Sequence, residues 1–337
     1  MTNVAQKIML TGGAGYIGSV LARKLLASGY RVVVVDRCFF GRDALASDDA
    51  DLTVLRKDVR ALQRSDLNGV DCVIDLAAIS NDPAGELDPQ LTVDINFHAR
   101  VRCAWLARDA GVARYILPSS SSVYGQQDGL LSETATIKPR TTYAAANANA
   151  ETGVLALADA SFTVVAVRQA TVFGASQRMR LDLVVHQMVI QAVRRKVIPV
   201  LGDGMQWRPF VHIADVADAL TQIVGAPADA VTGQRFNLGG NALNYRIREL
   251  AEIVGQETDV DRFDPYPGLD DRSHRMDFSK IEHTLNFVPT RTIADGVREV
   301  VDGLATGRID ENDPRGYTVP WYEQLLADGG PDSPATY

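Results

Sequence analysis

The sequence predicts an α/β fold built on a doubly wound parallel sheet, with a smaller α/β region towards the C-terminus. Two observations lead to this prediction: short aliphatic runs alternate with helical patterns through the first half of the chain, and a glycine-rich segment joins the first run to the first helical pattern. Such alternation is typical of parallel strands, because crossover helices cover both faces of the sheet. The chain has 337 residues, 46% hydrophobic and 23% charged, which suits a folded protein with room for two domains.

The individual elements follow from the apolar runs in chain order. Strands are expected at residues 7–10, 31–35, 52–55, 72–76, 115–117 and 163–167. The first helix is expected between the first two strands, where Ile17, Leu21 and Leu25 recur at helical spacing ahead of the stop at Ser28-Gly29. Longer helices are expected over residues 91–110 and 143–160.

The pattern changes after Gly174, where the segments become longer and proline is frequent. The expected division is a sheet domain over residues 1–174, a second region over residues 175–330 and a frayed tail over residues 331–337. A return of the chain to the sheet is expected within residues 211–238, because the short apolar run that ends there is followed by two glycines.

Charge, hydropathy and cysteine usage exclude several functional classes. With 42 acidic against 34 basic residues, the net charge is −8, which argues against nonspecific nucleic-acid binding. No apolar run approaches the roughly 20 residues of a membrane span, and no secretion signal is recognisable. The three cysteines and five histidines are scattered and indicate neither a disulfide framework nor a metal site. The sequence therefore predicts a cytoplasmic protein without a nucleic-acid, membrane or metal partner.

Glycines follow the first predicted strand in the segment Thr11-Gly-Gly-Ala-Gly-Tyr-Ile-Gly18. Between a strand and a helix, this spacing is typical of the pyrophosphate-binding turn of a Rossmann fold. Gly12 allows the tight turn, Gly15 lets the backbone approach the pyrophosphate, and Gly18 lets the helix pack closely. The helix N-terminus then presents N–H groups to the anion. The segment predicts a dinucleotide site.

Asp36 ends the second predicted strand. A carboxylate at this position can accept hydrogen bonds from the hydroxyls of the adenosine ribose, and it would repel a 2′-phosphate. The sequence therefore favours NAD over NADP. Arg37 complicates the prediction, because an arginine there either accommodates such a phosphate or lies on the adenine ring.

Further motifs follow in order along the chain and extend the pattern to about residue 290. They are Asp58-Val59-Arg60, Asp75-Leu-Ala-Ala78, Asn96, Ser119-Ser-Ser-Ser-Val-Tyr-Gly125, Tyr143 and Arg208-Pro-Phe-Val-His-Ile-Ala-Asp215. With these motifs the chain resembles the extended short-chain dehydrogenase/reductase family, in the group of nucleotide-sugar epimerases and dehydratases. The resemblance implies an NAD-binding Rossmann domain over residues 1–174, a mainly substrate-binding region over residues 175–330, and a nucleoside-diphosphate sugar as substrate.

The resemblance also implies roles for individual residues. Tyr143 is expected to remove the proton from the sugar hydroxyl, Ser120 to hold the reacting oxygen, and Asn147 to lie beside them at the cofactor. Cofactor contacts are expected from Gly12, Gly15, Tyr16, Ile17, Gly18, Asp36, Arg37, Asp58, Val59, Leu76, Ala77, Ala78, Asn96, Tyr143 and Asn147. Substrate contacts are expected from Ser80, Ser121, Thr171, Arg178, Arg180, Arg208 and Arg272, among which the arginines suit a diphosphate.

Asn147 departs from the family pattern, which places a lysine four residues after the tyrosine. Asparagine can donate a hydrogen bond to a ribose hydroxyl but carries no positive charge. At about 5 Å and an effective dielectric near 20, a lysine charge is worth on the order of 3 kcal/mol. Without it Tyr143 stays mostly protonated at neutral pH unless the nicotinamide charge or a nearby arginine such as Arg140 compensates. Two interpretations follow: an enzyme tuned for slow or unusual chemistry, and an NAD-binding sensor that has lost its redox step.

The residues after Ser120 bear on the reaction type. Family 4,6-dehydratases carry an Asp-Glu pair where this chain has Ser121-Ser122, and family decarboxylases use an acidic residue in the same neighbourhood. The resemblance therefore favours an NAD-dependent epimerase, which oxidises a sugar hydroxyl to a ketone and returns the hydrogen to the opposite face. A nucleotide-sugar or other ketone reductase or dehydrogenase is the alternative. By analogy with family dimers, the helices over 91–110 and 143–160 are expected to pair in a homodimer.

Overall fold

The computed structural model describes residues 6–268 and 273–329. Its strands are β1 Lys7–Thr11, β2 Arg31–Asp36, β3 Leu52–Arg56, β4 Cys72–Asp75, β5 Arg114–Ser120, β6 Leu130–Leu131, β7 Thr163–Gln169, β8 Thr171–Phe173, β9 Ile198–Leu201, β10 Trp207–His212, β11 Arg235–Leu238, β12 Asn244–Arg246, β13 Phe263–Tyr266 and β14 Arg275–Met276.

The helices alternate with these strands. They are α1 Tyr16–Ala27, α2 Asp82–Gly85, α3 Pro89–Val93, α4 Arg100–Asp109, α5 Thr142–Leu155, α6 Val184–Arg195, α7 Ile213–Gly225, α8 Ala228–Val231, α9 Ile247–Thr258, α10 Ser279–Leu285, α11 Ile293–Ala305 and α12 Thr318–Asp328.

A seven-stranded parallel sheet lies at the centre, in the order β11-β7-β5-β4-β1-β2-β3. From β1 the chain winds towards β3 on one side and towards β11 on the other, so the winding direction reverses beside β1. This is the doubly wound order of a Rossmann fold, and it confirms the predicted fold class. Strand β11, which lies within the span where a return to the sheet is predicted, pairs with β7 at the sheet edge.

The sheet is buried on both faces because its strands carry apolar side chains at successive positions. Val32 and Val34 belong to one hydrophobic cluster, together with Leu21 of α1. Val33 and Val35 point to the opposite face and pack in a second cluster, which includes residues of α4 and α5. Helices therefore cover both faces, which explains why the strand sequences read as continuous aliphatic runs.

The helix predicted over residues 91–110 is interrupted. It consists of α3, a π-helical turn over Asp94–Ala99, and α4. The wide turn contains Asn96, whose amide donates to Ile79 O and accepts from Ile79 N, both at 2.9 Å. The helix predicted over 143–160 is also corrected, because α5 ends at Leu155 and the Asp159 side chain accepts hydrogen bonds from the backbone that follows it.

The C-terminal part forms a third cluster around α6, α9 and α11, against the small sheet β12-β10-β8. It is tied to the central sheet by Tyr16, whose hydroxyl donates to Gly174 O at 2.7 Å. The division at Gly174 stays a prediction. The last helix, α12, packs Tyr322 against the loops after β2 and β4, beside Phe40 and Ile79.

Candidate active site

A cleft opens where the winding direction reverses, beside the carboxyl ends of β1, β2 and β4. It has a volume of about 1060 Å³ and is open to solvent. Loops diverge at such a reversal, which makes it the usual ligand site of a doubly wound sheet. The predicted cofactor residues that line the cleft are Gly12, Gly15, Tyr16, Ile17, Gly18, Asp36, Arg37, Asp58, Val59, Leu76, Ala77 and Ala78.

The glycine-rich turn between β1 and α1 forms one wall of the cleft. Gly12 adopts φ +66°, and a Cβ built on it would lie 2.7 Å from the Leu76 carbonyl carbon, so the turn requires glycine. At Gly18 a Cβ would lie 2.5 Å from Gly13 Cα, because the first turn of α1 packs directly on the loop. Among the described residues, no side chain caps the N-terminus of α1. Its N–H groups therefore suit the pyrophosphate of a dinucleotide.

Asp36 lies beside this turn and holds the loop backbone. Its carboxylate accepts hydrogen bonds from Ala14 N at 2.9 Å and from Cys38 N at 2.7 Å. Burial raises the pKa of Asp36, while the two backbone donors and the charge of Arg178 oppose that rise. The carboxylate is thus positioned at the carboxyl end of β2, where the sequence predicts a contact with ribose hydroxyls.

Arg37 donates to Asp58 at 2.9 Å, and its guanidinium lies 4.7 Å from the centre of the Phe39 ring. Arg60 donates to both oxygens of the same carboxylate, at 3.0 and 2.9 Å. Burial raises the pKa of Asp58, but the hydrogen bonds from Arg60 and Arg37 outweigh burial and leave this pKa below its ordinary value. Arg37 is thus held at the edge of the cleft by Asp58 and Phe39.

An aromatic wall that sequence reasoning missed closes the other side of the cleft. The Phe40 and Tyr322 rings meet edge to face, with their centres 5.5 Å apart, and the Arg178 guanidinium lies 3.7 Å from the centre of the Phe40 ring. Burial raises the pKa of Tyr322 to about 12, so the phenol stays neutral. Trp321 Nε1 donates to Phe39 O at 2.8 Å and fixes α12 in place.

The predicted catalytic pair comes from two elements. Ser120 ends β5 and Tyr143 lies in the first turn of α5, and the side chain of Ser120 acts on the Tyr143 phenol by lowering its pKa. Thr141 caps α5 by accepting from Ala144 N at 3.1 Å, which sets the direction of the helix. Neither hydroxyl residue is among those that line the described cleft, but Arg180, which does line it, acts on Tyr143 through its charge.

Four groups in addition to burial determine the proton affinity of Tyr143. Burial raises its pKa above the ordinary value. The Ser120 side chain lowers it, the negative charge of Asp82 raises it, and the positive charges of Arg100 and Arg180 lower it. Burial and Asp82 prevail, so the pKa of Tyr143 is raised in the protein without cofactor.

Asn147 is buried one helical turn beyond Tyr143. Its Nδ2 donates to Tyr143 O at 2.9 Å, and its Oδ1 accepts from Arg100 Nη1 at 2.8 Å. The arginine named from the sequence, Arg140, instead donates to Gln126 Oε1 at the surface, at 2.8 Å. The structure therefore places a different arginine, Arg100 of α4, next to the position where the family pattern has lysine.

The predicted substrate residues separate into two groups. Ser80, Arg178 and Arg180 line the cleft. Ser121, Thr171 and Arg208 are not among the described residues that line it, and Arg272 lies outside the described residues. Arg208 is buried on β10 and donates to Trp207 O at 3.0 Å.

The two cleft arginines have different surroundings. Arg180 donates to both oxygens of Asp182, at 3.1 and 2.8 Å, and this pairing keeps the pKa of Arg180 above its ordinary value despite burial. Arg178 is buried, and its Nε has no hydrogen-bond partner among the described residues. Burial, followed by the charge of Arg180, lowers the pKa of Arg178 to about 10. An anion in the cleft would supply the partner that Nε lacks.

Asp82 is a further residue that sequence reasoning missed. It is buried at the start of α2, accepts from Thr141 Oγ1 at 2.6 Å, and lies 3.4 Å from Ser122 Oγ. The turn Ser121-Ser122 itself contains no carboxylate, as the sequence shows. A carboxylate from another segment, Asp82, nevertheless lies next to this turn. No local motif could reveal the contact, because Asp82 and Ser122 are 40 residues apart.

Two further observations concern membrane-spanning helices and metal sites in the described part of the chain. None of its helices is long and apolar enough to cross a membrane. Within residues 6–268 and 273–329, no group of three or more histidine, cysteine or acidic side chains is placed to hold a metal ion.

Comparisons with known proteins show the family. A family model described as NAD dependent epimerase/dehydratase matches residues 8–239. UDP-glucuronic acid decarboxylase 1 of Arabidopsis thaliana is 31% identical over 326 residues, covering 92% of this chain and 72% of that protein. The uncharacterized UDP-glucose epimerase YtcB of Bacillus subtilis (strain 168) is 28% identical over 318 residues, covering 89% of this chain and 98% of that protein.

Solved structures give the same result at the level of the fold. MoeE5 in complex with UDP-glucuronic acid and NAD aligns with a TM-score of 0.78 and 28% identity, over 89% of this chain and 99% of that one. DesIV, a dTDP-glucose 4,6-dehydratase from Streptomyces venezuelae with NAD and TYD bound, aligns with a TM-score of 0.82 and 26% identity, over 91% and 100%. Decarboxylase, epimerase and dehydratase names thus all occur among the similar proteins.

Proposed function

The chain belongs to the NAD-dependent epimerase/dehydratase family, and on that premise we propose that it is an epimerase of nucleoside-diphosphate sugars. One observation carries the choice of epimerase: Ser120, whose side chain lowers the pKa of Tyr143, begins a turn that continues with two serines and no carboxylate. An epimerase needs one group to move the hydroxyl proton and one to hold the oxygen. It needs no further acid to expel water.

NAD fits the cleft as the structure describes it. The Gly12 turn and the N-terminus of α1 would hold the pyrophosphate, Asp36 the adenosine ribose, and Arg37 with Asp58 the adenine. The chemistry that NAD supplies when bound is the reversible acceptance of a hydride from a carbon that carries a hydroxyl.

The protein's own residues would manage the proton and the oxygen. Tyr143 would take the proton from the sugar hydroxyl while Ser120 holds the oxygen in line. When the ketone is reduced from its opposite face, Tyr143 would return the same proton to the oxygen. Reaction on both faces requires the sugar to rotate, so the substrate must be held mainly by its diphosphate. Arg178 and Arg180 are the cationic groups in the cleft that suit this task.

A dehydratase or a decarboxylase is the second candidate, and Asp82 favours it. The carboxylate lies near Tyr143 and next to Ser122 Oγ, so it can exchange protons with a sugar carbon or a leaving group without belonging to the serine turn. The similarity to a plant UDP-glucuronic acid decarboxylase agrees with this possibility.

Incubation with UDP-glucose, UDP-glucuronic acid and dTDP-glucose in deuterated water distinguishes these reactions. We expect an epimer of unchanged mass that keeps its carbon-bound hydrogen, observed by mass spectrometry and NMR. A product that has lost water or carbon dioxide, with deuterium on the sugar carbon, contradicts the epimerase proposal and supports the second candidate. A protein that retains NAD but converts none of the sugars would instead favour the sensor interpretation.

A further inference from the structure

This chain has asparagine at position 147, where the family pattern places a positively charged lysine beside the catalytic tyrosine. Asparagine at position 147 carries no charge, yet a buried arginine from another helix donates to it. We propose that Arg100 is the positioning residue that supplies the positive charge beside Tyr143, with Asn147 as the bridge that holds it there. This inference rests on the proposed role of Tyr143 as the base.

The hydrogen bonds of Arg100 fix the charge in one place. Nη1 donates to Asn147 Oδ1 at 2.8 Å, and Nε donates to Ala77 O at 3.1 Å. Ala77 lines the cofactor cleft, and Asn147 in turn donates to the Tyr143 backbone oxygen at 2.9 Å. The guanidinium is therefore held between the cleft wall and the catalytic helix, with only 3% of Arg100 exposed.

The residue types at the two positions complement each other. A guanidinium is a donor only, whereas the asparagine side chain offers an acceptor. A lysine at position 147 would place a second cation against Arg100 and would leave Nη1 without this acceptor. Both acceptors of Arg100 are neutral oxygens, so these hydrogen bonds hold the charge without cancelling it. Asn147 thus provides the acceptor that holds the Arg100 guanidinium next to α5.

The other groups around Tyr143 show why such a charge is needed. Ser120 of β5 and Arg180, from the segment after β8, favour ionisation of Tyr143, whereas Asp82 of α2 opposes it. Arg180 is already paired with Asp182, which weakens its field at Tyr143. Arg100 provides the remaining cation, from the side of the cofactor cleft.

The test is a titration of Tyr143 that needs neither cofactor nor turnover. The protein is labelled with ¹³Cζ-tyrosine, and the Tyr143 signal is assigned by its loss in Tyr143→Phe. In Arg100→Met we expect the signal to titrate at higher pH than in the wild type. Arg100→Lys and the double variant Arg100→Met/Asn147→Lys should move it back towards the wild-type position, because each restores a cation.

Arg108→Met is the matched control, since it removes the same charge from an exposed position on α4 that pairs with Asp159. It should leave the titration unchanged. A folded Arg100→Met protein, verified by circular dichroism, with an unshifted Tyr143 signal would overturn the proposal. Because no sugar is involved, the titration decides the role of Arg100 even if the epimerase assignment fails.

The pH profile of kcat/KM provides a second measurement if Tyr143 titrates beyond the pH at which the fold holds. For the NAD-loaded enzyme we expect Arg100→Met to lose about tenfold at pH 7 and to recover at higher pH. Asn147→Lys should restore activity in the Arg100→Met background but not improve the wild type. A uniform loss at every pH, without rescue by Asn147→Lys, would mean that Arg100 is merely structural.

Discussion

The proposed adenosine half of the cleft and the proposed catalytic side around Tyr143, which does not line the described cleft, obtain their functional groups in different ways. In the adenosine half, Gly12, Gly18 and Asp36 stand at the positions that the local motif assigns. On the catalytic side, position 147 lacks its expected charge, and an arginine 47 residues earlier in the chain lies against it. The backbone conformation of a tight turn can be adopted only by a suitable residue at that position, whereas a charge acts on a neighbouring group through space. A positive charge can therefore be supplied by another element of the fold, whereas a glycine needed for a turn must stand at that position in the chain.

Removal of the Tyr143 hydroxyl should have the largest effect, because it should lower turnover without weakening NAD binding. We expect Tyr143→Phe to lower turnover by about 10²- to 10⁴-fold, because the proton of the sugar hydroxyl loses its acceptor. NAD affinity, measured by calorimetry, should stay within about threefold of the wild type, since the adenosine half is untouched. A comparable loss of NAD binding would contradict the independence of the two halves. Tyr317→Phe is a suitable control, because the Tyr317 hydroxyl donates to Glu311 O and is not among the groups that act on Tyr143.

Acid should weaken the fold through His186, which supports the loop that carries Arg180. Its Nδ1 donates to Arg180 O at 2.6 Å, and Nε2 accepts from Gly174 N at 3.1 Å. Burial lowers the pKa of His186 to about 4, whereas the unfolded chain binds a proton near pH 6.5. Between these values the unfolded state holds more protons, so stability falls as pH drops from about 6.5 to about 4, by on the order of 3 kcal/mol.

Urea unfolding at pH 7 and pH 4.5 measures this loss. His186→Gln should be less stable at pH 7 but should lose less on acidification, because its side chain does not titrate. Equal losses in the wild type and in this variant would show that other groups account for the acid sensitivity. His98→Gln, at an exposed position of the π-helical turn, is the control.

Substitution of Asp36 should have the smallest effect and should be confined to the adenosine half. In Asp36→Asn, one side-chain oxygen remains to accept from Ala14 N or Cys38 N, and the amide NH₂ faces the other donor. We expect NAD affinity to fall about tenfold and the preference over NADP to shrink, because the repulsive charge is gone. Calorimetry with both cofactors measures this, with exposed Asp48→Asn as the control. An unchanged preference would argue that Asp36 does not face the ribose.

The glycine turn and the carboxylate at the end of β2 were predictable, since the strand, the turn and the carboxylate follow one another closely in the chain. The return strand β11 could also be predicted, from its apolar run and the glycines after it. The aromatic wall could not, because Phe40 and Tyr322 come from segments without a recognisable pattern and meet only when α12 packs against the cleft. Asp82 was missed for a similar reason, as its contact with Ser122 depends on how two loops approach each other.

The sequence by itself determined the doubly wound sheet and the glycine turn after β1, and it predicted the hydroxyl pair Ser120 and Tyr143. Each of these depends on hydrophobic periodicity or on backbone geometry over a few residues, which a linear pattern records. Only the tertiary structure decided which cation serves Tyr143 and which carboxylate lies near it. Electrostatic interactions depend on distance in space and on burial, and the packing of α2 and α4 against α5 determines both.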